Sequence, residues 1–187
     1  ESNNQISITP VSFNVSNELP KLLIGPLYGN DPTYGIRELI QNAVDSCRER
    51  EFLEGIDYKG VINVSFYKEG VQLYFKIDDN GLGMSLNVVK NYFLEVGSSL
   101  RKSSSWKKEF VDENGNSKIQ RSGKFGIGVL AAFLIGDKII LKTKNSSSKF
   151  GISLETNLNS EQIEVLKNQK KSVGTTIIVP ISDEIFK

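Results

Sequence analysis

The chain has 187 residues, of which 39% are hydrophobic and 24% charged, and these values suit one globular domain with its own core. Its formal net charge of +1 gives no strong drive toward nucleic acid or an anionic membrane, and no apolar run could span a bilayer. Because histidine is absent, histidine-based triads, histidine metal ligands and a phospho-accepting histidine are excluded within these residues.

Residues 1–5 do not have the pattern of a signal peptide, since they lack a basic stretch followed by an apolar core. Because the chain opens on Glu1 rather than Met, we expect it to be a domain excised from a longer protein. Residues 6–8 favour a short edge strand.

A long helix is predicted over residues 33–51, with Asp31 as its cap and Pro32 in its first turn. Cys47 falls on its apolar stripe and is interpreted as a small core residue rather than a nucleophile. A single cysteine cannot form an internal disulfide, which favours a reducing, cytoplasmic setting. A neighbouring stripe is polar and has the spacing i, i+4, i+7, i+11: Glu38, Asn42, Asp45 and Glu49.

The remaining segments predict an α+β sandwich with a mixed, mainly antiparallel sheet and helices on one face. The predicted strands are residues 61–67, 71–77, 137–144, 150–155 and 173–180, with a hairpin turn at 68–70. The predicted helices after the first are residues 86–94, 129–135 and, on the surface, 160–166.

Residues 97–122 differ from the rest, because they are rich in Ser, Lys and Arg and lack apolar periodicity. We expect them to bury too little apolar area to offset the roughly 1–2 kcal/mol per residue of ordering entropy. The segment is therefore predicted to be mobile until a ligand recruits it.

Glu38 and Asn42 are one helical turn apart and lie on the same face of the predicted helix. An amide oxygen together with phosphate oxygens can complete the shell of Mg²⁺, and a carboxylate one turn away can orient a water. On the helix alone, a solvated polar face is the favoured interpretation.

A second candidate site is the loop that opens with Asp79, directly after an apolar strand. A carboxylate there can accept a hydrogen bond from the exocyclic amine of adenine, where guanine presents a carbonyl. Gly81 and Gly83 permit close approach of a flat ring, and Met84 offers an adaptable apolar wall. An ordinary Asp-Asn-Gly turn explains the loop equally well.

A third candidate is a glycine loop that precedes an apolar helix and exposes backbone N–H groups to an anion. It has neither the lysine of a Walker loop nor the preceding strand of a dinucleotide fingerprint. Its residues are Gly123, Lys124, Phe125, Gly126, Ile127 and Gly128.

We call these three candidate sites the first, second and third box, and Gly174 with Thr175 at the start of the last strand the fourth. In this order the four boxes resemble those of the GHKL ATPases. That superfamily includes gyrase, the ninety-kilodalton heat-shock chaperone, histidine kinases and mismatch-repair ATPases. The stretch of residues 123–138 is most similar to the chaperone branch. Val129 stands where the chaperones have an aromatic residue, and the MORC type of ATPase fits as well.

The resemblance implies a Bergerat-type sandwich in one domain, residues 1–187, with an ATP lid at residues 97–122. It implies that Asp79 binds adenine with Thr175 in support through water, that Asn42 binds magnesium, and that Glu38 is the general base. Arg101 or Lys102 would stand in for the chaperone's lid lysine near the phosphates.

The activity implied is slow ATP hydrolysis with Mg²⁺, coupled to lid closure and to homodimerisation in the full-length protein. The alternative is a nucleotide-gated interaction module that binds ATP without useful turnover. A histidine-kinase role is disfavoured, because Glu38 and the chaperone-like third box both point away from it.

Overall fold

The computed structural model describes residues 24–26, 29, 31–95, 98–120, 128–160, 162–168, 170–182 and 185. The predicted edge strand at residues 6–8 and the glycine-loop residues 123–127 lie outside this description. None of the described helices combines the length and apolar character needed to cross a bilayer.

Helix α1, Pro32–Glu54, is the longest described element and begins as the sequence predicts. The side chain of Asp31 accepts a hydrogen bond from the backbone N–H of Thr33 at 2.9 Å, with Pro32 in the first turn. Leu39 and Ala43 bury the apolar stripe of the helix in the core. The polar stripe is therefore fixed on a defined side of the fold.

The sheet has six strands in the order β1-β2-β6-β3-β4-β5, and every pairing among them is antiparallel. Its members are β1 Ile62–Glu69, β2 Gln72–Asp79, β3 Lys138–Lys144, β4 Gly151–Asn157, β5 Val165–Asn168 and β6 Gly174–Pro180. Alternate residues of the inner strands face the helices and form the core, for example Phe75, Leu141 and Val179. The predicted α+β class and mainly antiparallel sheet are confirmed, and the described strands include no parallel pair.

Short helical segments complete the helical layer. They are α2 Leu86–Val88 with a π-helical turn Val89–Phe93, a 3₁₀ turn Leu100–Lys102, α3 Ser104–Phe110, and a 3₁₀ helix Gly128–Leu134. The last of these packs along α1 with Ala131 and Ala132 fully buried, as the apolar run after the glycine loop predicts.

The predicted surface helix at residues 160–166 is wrong, because the chain forms strand β5 from Val165 instead. This strand pairs antiparallel with β4, and the Asn168 side chain donates to the Ile152 carbonyl at 2.8 Å. Pairing with an open sheet edge has overridden a weak local helical preference.

The expectation that residues 97–122 bury little apolar area is wrong for α3. Trp106 and Phe110 are 8% and 3% exposed, and their rings stack with centroids 5.1 Å apart. Phe110 also contacts Phe52 of α1 at 5.8 Å between centroids. The segment therefore has an apolar anchor, which its low overall apolar content concealed.

Candidate functional site

Two side chains of the α1 polar stripe meet the end of the glycine loop. A Cβ atom built on Gly128 would lie 3.1 Å from Glu38 Oε2 and 3.2 Å from Asn42 Nδ2. The Glu38 side chain is only 19% exposed, whereas Asn42 is open to solvent. The structure thus brings together the first box and the last residue of the third box, and a side chain at Gly128 would crowd both polar groups.

Asp79 is the last residue of β2 and points to the core side of the sheet, where it is buried. Burial raises its pKa to about 6, although hydrogen bonds from the backbone N–H groups of Gly81 and Thr175 partly offset that rise. The Gly81 bond measures 2.8 Å to Oδ1. A buried carboxylate that accepts two hydrogen bonds can accept a further one from a donor on a ligand.

The hydroxyl groups of two threonines lie beside Asp79. Thr175 lies opposite Asp79 in the β2–β6 pairing, and its hydroxyl is 3.0 Å from that of Thr143 on β3. The Thr143 hydroxyl also accepts the Met84 backbone N–H at 2.8 Å. Thr143 was not predicted, because only the strand order reveals that β3 neighbours β6.

The loop after Asp79 is held close to β3 by Gly83. This residue has a φ of +64°, and a Cβ there would collide with the carbonyl of Lys144. The Asn145 side chain donates to the Leu82 carbonyl at 3.1 Å from the same direction. The loop conformation therefore requires glycine at position 83, as the motif suggests.

Ser46 joins the two halves of the site. It follows Asn42 by one helical turn, and its hydroxyl accepts the Leu82 backbone N–H at 3.1 Å. Gly81 packs directly on Ser46, leaving no room for a side chain. The helix that carries Glu38 and Asn42 is thus in contact with the loop that carries Asp79.

The two candidate phosphate cations differ in environment. Arg101 donates to Asp45 Oδ2 at 2.8 Å, and Asp45 is buried on the α1 polar stripe. Lys102 is exposed. Residues 123–127, the rest of the predicted anion loop, fall outside the part of the chain that the structure describes.

An apolar pocket of about 200 Å³ opens beside the 3₁₀ helix that follows Gly128. Its lining includes Phe93, Leu94, Val129, Phe133 and Ile163. The sequence did not predict this pocket, because its walls come from separated segments that only the fold brings together.

The fold and the order of the boxes together define a domain of the ATPase class, with one long helix packed on an antiparallel sheet. Residues 32–181 match the family described as histidine kinase-, DNA gyrase B- and HSP90-like ATPases, and the chain belongs to that family. The resemblance stated from the boxes is thereby confirmed.

Curated relatives match most of this chain. The chaperone protein HtpG of Fusobacterium nucleatum is 29% identical over 177 residues, covering 90% of this chain and 28% of that protein. HtpG of Helicobacter pylori is 29% identical over 178 residues, or 90% of this chain and 27% of that protein. HtpG of Campylobacter jejuni is 30% identical over 180 residues, covering 91% and 28%. The chain thus spans less than a third of the length of these relatives.

Proposed function

We propose that this domain binds ATP together with Mg²⁺ and hydrolyses it slowly, with Glu38 as the general base. The observation that carries the proposal is the contact of Glu38 and Asn42 with Gly128, on a helix whose Ser46 also touches the Asp79 loop. One rigid element therefore serves both the phosphate end and the base end of a nucleotide.

At the base end, ionised Asp79 would accept a hydrogen bond from the adenine amine. The threonine pair Thr143 and Thr175 would hold a water against the same edge of the ring. Met84 and Gly83 would line the ring faces. Guanine is disfavoured there, because its carbonyl would face a buried carboxylate.

At the phosphate end, the exposed amide of Asn42 suits Mg²⁺, which takes its remaining ligands from phosphates and water. Among the described residues no group of three His, Cys, Asp or Glu side chains could hold a metal, so a shared site with the nucleotide is favoured. Bound Mg²⁺ would supply charge neutralisation on the phosphates. Glu38, whose side chain is 19% exposed, is the carboxylate that would accept the proton of an attacking water.

Gly123, Lys124, Phe125, Gly126 and Ile127 remain proposed phosphate contacts on the strength of the sequence alone. We also propose that residues 97–122 close over the nucleotide and that the full-length protein dimerises, as a cytoplasmic chaperone-like ATPase. The likeness to chaperone HtpG supports this part of the proposal.

The direct test is calorimetry with ADP and a non-hydrolysable ATP analogue, combined with phosphate release in the full-length protein. Asp79→Asn should abolish detectable adenine nucleotide binding, whereas exposed Asp137→Asn should leave it unchanged. Glu38→Ala should bind nucleotide normally and release phosphate at least about tenfold more slowly. Glu51→Ala, an exposed carboxylate on the same helix, is the matched control.

A binding module without turnover is the second candidate, and the position of Arg101 favours it. Its guanidinium is committed to Asp45, and so it does not stand ready for a γ-phosphate in this structure. Nucleotide binding with phosphate release no faster than the protein-free background would select this candidate over hydrolysis. Release that is measurable but equal in wild type and Glu38→Ala would instead remove Glu38 from the mechanism.

A further inference from the structure

Asn80, the residue after Asp79, ties the adenine loop to the connection between α1 and β1. Its side-chain oxygen accepts the Val61 backbone N–H at 2.7 Å, and its side-chain nitrogen donates to the Lys59 carbonyl at 2.8 Å. Its own backbone N–H donates to the Val61 carbonyl at 3.1 Å. The side chain therefore extends the β1–β2 pairing beyond the last paired strand residues.

Asn80 also accepts hydrogen bonds from Arg50 of α1 and from Tyr58 in the connection that follows α1. Arg50 donates to the Asn80 carbonyl at 2.7 Å, and Tyr58 donates to this carbonyl at 3.0 Å or to the side-chain oxygen at 2.9 Å. The Arg50 guanidinium lies 5.0 Å from the centre of the Tyr58 ring and pairs with Glu54 at 2.8 Å. The Arg50 side chain is only 18% exposed and Tyr58 is half-buried, so their bonds to Asn80 are partly sheltered from water.

The contacts fix how far α1 can slide or rotate relative to the loop. Arg50 follows Asn42 by eight residues, which places it about 12 Å farther along the helix axis. Together with the Ser46 contact, the Arg50 bond sets the axial position of Asn42 and Glu38 relative to Asp79. No group of this cluster is assigned to the nucleotide in the proposed function.

We propose that Asn80, held by Tyr58 and Arg50, is a positioning residue that sets the separation between the base-reading and phosphate-binding ends of the site. The inference rests on the proposed ATP binding. A ligand that spans both ends depends on that separation, whereas adenosine or Mg²⁺-tripolyphosphate alone uses one end only. If the role of Asn80 were purely structural, its loss would instead lower the affinity for all three ligands and the stability of the fold together.

The test compares Asn80→Ala with wild type in the full-length protein, using Mg²⁺ with a non-hydrolysable ATP analogue, adenosine, and Mg²⁺-tripolyphosphate. The affinity for the ATP analogue should fall about tenfold or more. The affinities for adenosine and for Mg²⁺-tripolyphosphate should each change less than about threefold. Asn91→Ala is the matched control, since Asn91 is exposed and its side chain donates to that of Asn87 one turn earlier. It should match wild type for all three ligands.

Tyr58→Phe provides a second variant that keeps the ring under Arg50 and removes only the hydroxyl. It should shift affinity for the analogue in the same direction by a smaller factor, and it decides the question if Asn80→Ala does not fold. Equal losses for all three ligands, or an unchanged affinity for the analogue, would overturn the inference while leaving ATP binding intact. Failure of wild type to bind the analogue would overturn the proposed function and this inference with it.

Discussion

The indole N–H of Trp106 donates to Glu49 Oε1 at 2.9 Å, and both side chains are buried between α3 and α1. Glu49 belongs to the same polar stripe as Asn42, seven residues further along the helix. In this structure the segment proposed as a lid is therefore docked on the very helix that carries the proposed phosphate-binding groups.

We expect Trp106→Phe to lower the free energy of unfolding by about 1–2 kcal/mol, because it removes a buried hydrogen bond and some apolar contact. Chemical denaturation followed by circular dichroism would measure the loss. Phe66→Leu, at a 57% exposed position, is the control and should cost much less. An unfolding free energy equal to that of wild type would contradict the docked position of α3.

Trp106 is the only tryptophan in the chain, so tryptophan fluorescence reports on the surroundings of this one side chain. Its emission should be blue-shifted without nucleotide and should move to longer wavelength if ATP draws the segment away from Glu49. Identical spectra with and without a saturating ATP analogue would show that α3 stays docked while nucleotide binds.

Adenosine affinity should depend on the protonation of Asp79, whose pKa burial raises to about 6. Because the ionised carboxylate is the stronger acceptor, affinity should rise as pH increases through 6 and level off above about 7. Adenosine is the appropriate probe, since it carries no phosphate that titrates in this range. Calorimetry between pH 5 and 8 would show the change, and a flat profile would remove Asp79 from adenine recognition.

Asp79→Asn should make the nucleotide-free protein more stable at neutral pH. A pKa raised on folding contributes stability that is complete below the unfolded value near 3.8 and is lost as pH rises through about 6. At pH 7.5 the buried Asp79 carboxylate is ionised, and its ionisation lowers the stability of the fold by about 1–3 kcal/mol. The amide of the Asn variant stays neutral and does not have this effect. Thermal melts of both proteins should therefore diverge at pH 7.5 and converge near pH 4.

Gly128→Ala should impair nucleotide hydrolysis while leaving the fold intact. The new methyl group would lie 3.1 Å from Glu38 Oε2 and 3.2 Å from the Asn42 amide, so both groups would have to shift by a few tenths of an ångström. Phosphate release should fall about tenfold or more. Gly25→Ala is the control, because nothing lies within 4 Å of the Cβ it would add.

Arg101→Ala should lower stability without nucleotide by about 1–3 kcal/mol, because it withdraws the closer cation from buried Asp45. Arg48, at 3.9 Å, remains as a partial replacement. Lys102→Ala changes the adjacent but exposed cation and should have little effect. Equal melting temperatures for the two variants would contradict the pairing seen here.

Local chemistry made much of the fold predictable. A few neighbouring residues are enough to predict the cap at Asp31 and the end of β2 at Asp79. The same holds for the alternating apolar and polar residues that predict strands β1 and β2. The 3₁₀ helix at Gly128–Leu134 also falls where an apolar run follows the glycine loop. Such features need no knowledge of distant partners.

Features set by distant contacts could not be predicted. Strand β5 exists because β4 offers an open edge, and Trp106 is buried because α1 presents Glu49 and Phe52 to it. In the candidate site, Ser46 and Thr143 gave no sequence signal of their own. Their roles arise only from the packing of α1 on the Asp79 loop and from the strand order.

The described strand that comes last in the chain lies in the middle of the sheet. Strand β6 joins β2 to β3, so Tyr74 faces a residue, Pro180, more than one hundred positions later in the chain. Until that strand leaves the ribosome, the β1–β2 hairpin and the β3–β4–β5 sheet are separate pieces with open edges. The two parts of the sheet can therefore join only after Gly174–Pro180 has been translated, and a chain truncated before Gly174 would lack the strand that links them.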